Sequence, residues 1–333
     1  MYLNIYLQSL LITLVLATRG QPNVRAGQPV RTTSGLVFGH SSSWQPNVSE
    51  YLGIPYAQPP IKQLRFEAPR PYYGAEPIFA TKFSPDCPAN GMAPPNSSIS
   101  YESVADTIFS TLIQAGDSFS EDCLTLNVWA KPHGGPTLKP VMIWIYGGGF
   151  TSGSTANPAY NGARLVDSKD VVVVSINYRV GIFGFPGFDK LPSLNLGLLD
   201  QRLAVEWVRN NIAHFGGDPD RITLFGQSAG GQSVDFYSFA WTEDPIVSGF
   251  IIESGFAYDA PAANMSGWFN TSLQLDCGGP EAGIKTLECM KTKSYMDILS
   301  AVQGYFGPTA DNRIVWANYT SQRIRGAFVK RAS

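Results

Sequence analysis

Ser228 has the clearest chemical character in the sequence, because it stands in GQSAG, a G-x-S-x-G pattern whose small residues let the backbone turn sharply and lift the serine hydroxyl above a sheet. The surrounding residues 221–232, RITLFGQSAGGQ, read as a short buried strand, a turn and a helix start. That context separates the pattern from a chance Gly/Ser loop. The chemistry it implies is nucleophilic attack by the hydroxyl, with a structural turn serine as the plain alternative. Residues 146–150, YGGGF, form a second glycine loop at the end of its own strand. Its successive glycines leave amide N–H groups unobstructed, as stabilising a developing oxyanion requires. The N–H of Ala229, directly after the serine, is the expected partner donor. Phosphate binding is the other use of such a loop, but no G-K-S/T follows it.

A serine hydroxyl is a weak nucleophile near neutral pH and needs a histidine base, itself oriented by a carboxylate. The chain holds three histidines, His40, His133 and His214, and none follows Ser228. His214 precedes the strand that leads to Ser228, roughly 16 Å of extended chain at about 3.3 Å per residue, and therefore belongs to the opposite sheet edge. His133 precedes the strand of the glycine loop and belongs to that same far edge, while His40 follows an N-terminal hairpin strand. Glu253, at the end of a strand on the correct edge, is the one nearby carboxylate in the pattern, with no histidine to orient.

The elements that must position these residues alternate between strand and helix. Residues 29–38 alternate as an edge strand or hairpin, and the proline-dense residues 51–71 read as irregular. Residues 124–129 and 140–146 read as strands joined by a hairpin-type connection. Residues 171–178, VVVVSINY, read as a strand buried on both faces. A helix is expected over 195–215, another after Ser228 towards Ala240, and a further buried strand over 249–253. A helix-compatible run lies near 104–113. This order calls for an α/β fold with a mostly parallel sheet and helices on both faces.

At 44% hydrophobic and 15% charged the chain is globular with a large core, and a net charge of -2 gives nucleic-acid binding no electrostatic support. Residues 10–17, LLITLVLA, are too few to span a bilayer and are followed by small residues, so residues 1–20 read as a secretory signal peptide and 21–333 as the folded domain. No Lys or Arg precedes the run, which leaves an uncleaved anchor as the alternative. Sequons at Asn47, Asn96, Asn264, Asn270 and Asn318, each in apparent loop, agree with a secreted glycoprotein. Four cysteines allow three pairings, and proximity favours Cys87 with Cys123 and Cys277 with Cys289.

Taken together, YLGIPYAQPP, EDCLTLNVW, WIYGGGF, NYRVGIFGF, NLGLLDQRLAVEWVRNNI and FGGDPDRITLFGQSAGG resemble the type-B carboxylesterase, cholinesterase and fungal lipase family of α/β-hydrolases. The resemblance implies Ser228 as nucleophile, Gly148, Gly149 and Ala229 as oxyanion donors, both favoured disulfides, and ion pairs of Arg65 with Glu121 and Arg179 with Asp200. It also implies a lid between Cys87 and Cys123, with Tyr305 or Phe306 placed to wall an acyl pocket. That loop holds no tryptophan, which argues against strict choline specificity. A small-molecule or lipid ester is the implied substrate, and no metal or organic cofactor is implied. In such folds the acid and histidine follow the serine. The chain is therefore expected to lack both, as a shortened esterase with an incomplete, open sheet edge prone to self-association. An inactive binding or adhesion protein on the same fold is the alternative.

Overall fold

The computed structural model describes residues 25–89, 114, 116–132 and 135–330. The expected signal peptide, the helix-compatible run near 104–113, Asn96 and His133 lie outside the described residues. Ten strands are described: β1 (Val30–Thr32), β2 (Gly35–Phe38), β3 (His40–Ser41), β4 (Ser49–Pro55), β5 (Ile78–Phe79), β6 (Thr125–Ala130), β7 (Lys139–Ile145), β8 (Val172–Ile176), β9 (Gly217–Gln227) and β10 (Gly249–Glu253). The helices are α1 (Ala163–Ser168), α2 (Gly181–Gly184), α3 (Leu196–Asn211), α4 (Ala229–Ala240), α5 (Met265–Gln274), α6 (Lys285–Thr292), α7 (Tyr295–Ala301) and α8 (Tyr319–Arg325). None is long and apolar enough to cross a membrane.

The main sheet runs β10-β9-β7-β8-β6-β4-β3, and β1, β2 and β5 form a separate small sheet. The main sheet is mixed: β10, β9, β7 and β8 pair in parallel, and β6, β4 and β3 continue it antiparallel. Val141, Ile143 and Ile145 of β7 and Ile222 and Leu224 of β9 pack on one face with Ala204, Val205 and Val208 of α3 and Val234 of α4. Trp129 and Val173 on the other face meet Ala163 and Val166 of α1. A second apolar cluster joins Phe66, Phe183 and Phe188 to Trp268 of α5, Met290 of α6 and Ile298 of α7.

Three expectations are corrected. β6 and β7 are not hairpin partners, because β8 lies between them. Its five residues are all buried, and a strand with no polar face gains most from a slot with neighbours on both sides. Residues 51–71 are not irregular throughout: β4 extends to Pro55 and pairs with β6 across a register shift between Tyr51 and Ile54. The prolines disrupt pairing only beyond it. β10 is not a buried strand. It pairs with β9 alone, and Ile251 and Ile252 are 42% and 41% exposed. An apolar run records a preference for cover and cannot record whether cover is present.

Disulfides join Cys87 to Cys123 and Cys277 to Cys289. Arg65 donates from Nε and Nη2 to the two carboxylate oxygens of Glu121, both at 2.6 Å, and Arg179 donates likewise to Asp200 at 2.8 and 2.7 Å. Both pairs are buried. Arg65 also reaches the Met290 and Lys293 carbonyls, tying the second cluster to the main body.

Candidate active site

Ser228 caps β9 and opens α4. Its φ of 55° and ψ of -122° lie in the left-handed half of backbone space, uncommon for a residue with a Cβ. Such conformations cost on the order of 1–3 kcal/mol and persist where the surroundings over-determine them. Two hydrogen bonds do so here: the Ser228 N–H donates to the Glu253 carbonyl at 2.8 Å, and the Ser228 carbonyl accepts from the Gln232 N–H at 2.8 Å. A Cβ at Gly230 would meet the Ile145 carbonyl oxygen, so a side chain there would push α4 away from β7. The small residues of GQSAGG are thus set by the close approach of helix and strand. Ser228 itself stays half-exposed.

The register of β7 and β9 brings the second loop alongside. Ile145 pairs with Gly226, so two residues further on Gly147 stands opposite Ser228. A Cβ built on Gly147 would lie 3.0 Å from the Ser228 Cβ. Gly148, at φ 122°, turns its carbonyl into the loop, where it accepts from the N–H groups of Thr151 and Ser152 at 3.0 and 3.1 Å. Because the peptide is trans and planar, the Gly149 N–H points to the opposite side. Gly148 and Gly149 are exposed, and among the described residues neither N–H is seen donating to the protein. The Ala229 N–H, at the first turn of α4, has no intrahelical acceptor.

The loop is held from behind. The Tyr146 and Tyr178 rings stack with centroids 4.5 Å apart, and each hydroxyl donates to the other residue's carbonyl, at 3.1 and 2.9 Å. Burial pushes both phenols well above their usual range. Phe150 is buried against Phe185, and its carbonyl accepts from the Gly181 N–H at 2.7 Å. Further along, Asp86 accepts from Ser154 Oγ and, at 2.6 Å, from Gln114 Nε2. Burial pushes the Asp86 carboxyl up to about 7, with the nearby Asp117 charge adding to the rise and the Ser154 and Gln114 hydrogen bonds opposing it. Sequence patterns carried no sign of Asp86, Gln114 or Ser154, which are brought to this loop by tertiary packing alone.

Neither described histidine is brought to Ser228. His40 is in β3, five strands from β9 and therefore about 24 Å away at about 4.8 Å per strand. His214 precedes β9, whose stretch paired with β7 from Ile222 to Gly226 leaves it roughly 16 Å from the serine end. Glu253 contributes its carbonyl to Ser228, while its side chain is exposed. Phe306 is buried in the second cluster, and Tyr305 is half-exposed with its phenol raised by burial and by Tyr258. The sequons are less uniform than their loop appearance implied: Asn270 lies within α5, and Asn264 and Asn318 cap α5 and α8 through their side chains.

A nucleophile-type turn and a glycine loop side by side on the parallel half of a mixed sheet define the α/β-hydrolase architecture. Residues 26–326 match the carboxylesterase family, and the chain belongs to that family. It is 38% identical to chlorogenic acid esterase of Aspergillus niger, covering 97% of the chain and 65% of that protein, and 36% identical to secreted lipase 5 of Gibberella zeae, covering 98% and 67%. Among solved structures it resembles EstA of Aspergillus niger, with a TM-score of 0.76 at 29% identity over 92% of the chain and 59% of EstA. A thermophilic PNB esterase gives 0.74 at 33% identity. The chain thus spans about two thirds or less of the length of these relatives.

Proposed function

We propose that the protein is a secreted carboxylic ester hydrolase working through an acyl-enzyme on Ser228. The Ser228 Oγ bonds to the ester carbonyl carbon as its proton passes to a base, a role that neither His40 nor His214 fills from its place in the fold. The tetrahedral oxyanion is held by the N–H groups of Gly148, Gly149 and Ala229. Collapse breaks the bond to the alcohol, which leaves with the proton, and water then adds to the acyl-enzyme and releases the acid. The observation that carries this assignment is the register of β7 against β9, which sets beside Ser228 a glycine loop whose Gly148 and Gly149 N–H groups donate to no acceptor among the described residues. Relatives named chlorogenic acid esterase and secreted lipase 5 support a small-molecule or lipid ester substrate and an extracellular location, with residues 1–20 as the signal.

Residues 1–333 offer Ser228 no histidine among those described, so the 333-residue chain alone should acylate slowly. A fluorophosphonate probe followed by peptide mapping tests this. The expected result is labelling confined to Ser228, abolished by Ser228→Ala, and roughly 10²–10⁴-fold slower than in EstA. Labelling at another residue would overturn the nucleophile assignment, and a rate equal to EstA's would overturn the need for a further base. The exposed edge of β10 is further proposed to pair with a second copy of the 333-residue chain, since an unpaired apolar strand is a template for another. A monomer in sedimentation at micromolar concentration would refute that.

A further inference from the structure

The glycine loop returns from Ser228 through residues 153 and 154, and there it meets two buried polar side chains from a distant part of the sequence. The Gln114 carboxamide grips Gly153 on both sides: its Oε1 accepts from the Gly153 N–H at 2.8 Å, and its Nε2 donates to the Gly153 carbonyl at 3.2 Å. The same Nε2 donates to Asp86 Oδ2, while Asp86 Oδ1 takes the Ser154 hydroxyl, whose oxygen in turn accepts from the Ala156 N–H at 2.9 Å. Asp86, Gln114 and Ser154 are only 1–3% exposed. Asp86 is itself anchored: its N–H donates to the Ser118 carbonyl, its carbonyl accepts from Ser120, and the neighbouring Cys87 is bonded to Cys123.

We propose that Asp86 and Gln114 are positioning residues that hold the 153–154 end of the glycine loop, and thereby set the direction in which Gly148 and Gly149 present their N–H groups to a substrate oxygen at Ser228. This rests on the assignment of Ser228 and the loop given above. The loop then has two fixed ends, Tyr146 stacked on Tyr178 and Gly153–Ser154 on the Asp86–Gln114 pair, with the candidate donors between them. Preorganised donors of this kind lose their value when their direction relaxes.

A carboxylate is an unusual choice for this place. Among the described residues the groups facing Asp86 are Gln114, Ser154, the phenol of Tyr146 and the carboxylate of Asp117, none of them a cation. Its charged form is supported only by the two donors it grips, and burial outweighs them, so ionisation favours any opening that brings water to the carboxylate. As pH rises through about 7, where this carboxyl loses its proton, the hold on the loop should weaken.

Hydrogen–deuterium exchange of the 333-residue chain, read on the peptide covering residues 147–155, decides the matter without requiring turnover. Asp86→Asn keeps the shape but removes one acceptor, and Gln114→Ala removes the Gly153 clamp. Both should raise loop exchange about tenfold while β8 stays protected. Wild-type loop protection, corrected for intrinsic rates, should decrease from pH 6 to pH 8, and Asp86→Asn should lose that decrease. Unchanged loop exchange in the variants overturns the proposal. Where Asp86→Asn also exposes β8, Gln114→Ala and Ser154→Ala, which remove neutral groups, carry the decision. Fluorophosphonate labelling is a separate arm: slower Ser228 labelling in the variants supports the catalytic consequence, whereas no labelling of the wild type would refute the ester hydrolase assignment and leave the exchange result standing.

Discussion

At the scale of single residues, Ser228 and Gly148 carry opposite liabilities. Ser228 holds a backbone conformation that suits glycine, so Ser228→Gly should remove both nucleophile and strain. Thermal unfolding should show a gain of about 1 kcal/mol, and a lower Tm would mean that the turn is relaxed as it stands. Gly148 has φ of 122° and the Ser152 backbone where a Cβ would go, so Gly148→Ala should reorient the loop. The expected loss is about 2.7–4 kcal/mol of transition-state stabilisation, seen as slower labelling of Ser228, together with a loss of about 1–3 kcal/mol in urea stability from the strained backbone. Asp86 gives a pH signature. Its folded pKa of about 7 lies above the usual 3.8, so its contribution favours the folded state most below about pH 4 and is lost as pH rises through 7. The change is on the order of 4 kcal/mol at most, read from urea unfolding between pH 4 and 8, and Asp86→Asn should flatten it. GQSAG was legible because close backbone approach demands small residues in one short stretch. Asp86 was not, because its partner Ser154 is 68 residues away and a buried carboxylate leaves no local pattern.

At the scale of elements, one cross-link ties α3 to the chain that follows β8, and another ties the end of α5 to α6. Asp200 on α3 holds Arg179, which follows β8, and both are buried. Asp200→Ala leaves that guanidinium without its partner and should cost about 3–5 kcal/mol, measured by denaturant unfolding. An effect below about 1 kcal/mol would place the pair in solvent in practice. The Cys277–Cys289 bridge closes a separation of 12 residues between α5 and α6. Replacing both cysteines by alanine should cost about 3 kcal/mol through loop entropy and loosen the second cluster, with protection of β8 unchanged. The Asn264 amide nitrogen is engaged with the Tyr305 carbonyl at 3.1 Å, while Asn270 is exposed. Mass spectrometry of the protein expressed through a secretory host should therefore find Asn264 the less occupied of the two. The strands themselves were legible from β-branched runs, and their neighbours were not. β6 and β7 are adjacent in sequence yet separated by β8, because pairing is decided by which strand needs cover on both sides.

At the scale of the whole molecule, the composition, the alternation of strand and helix and the two glycine loops determined the architecture and the chemistry on offer. Those are local demands, for a sharp turn, an unobstructed N–H or a buried run, and local demands are written in neighbouring residues. Only the tertiary structure decided the rest: the mixed character of the sheet, the exposure of β10, the distance of His40 and His214 from Ser228, and the Asp86–Gln114 hold on the glycine loop. Each depends on residues far apart in sequence meeting, or failing to meet. Ser228 and the YGGGF loop could be named from the sequence because each is a local solution to a local constraint. Their separation of about one methyl contact, and the absence of a described histidine from that place, follow from strand order and register, which the packing of the whole sheet sets.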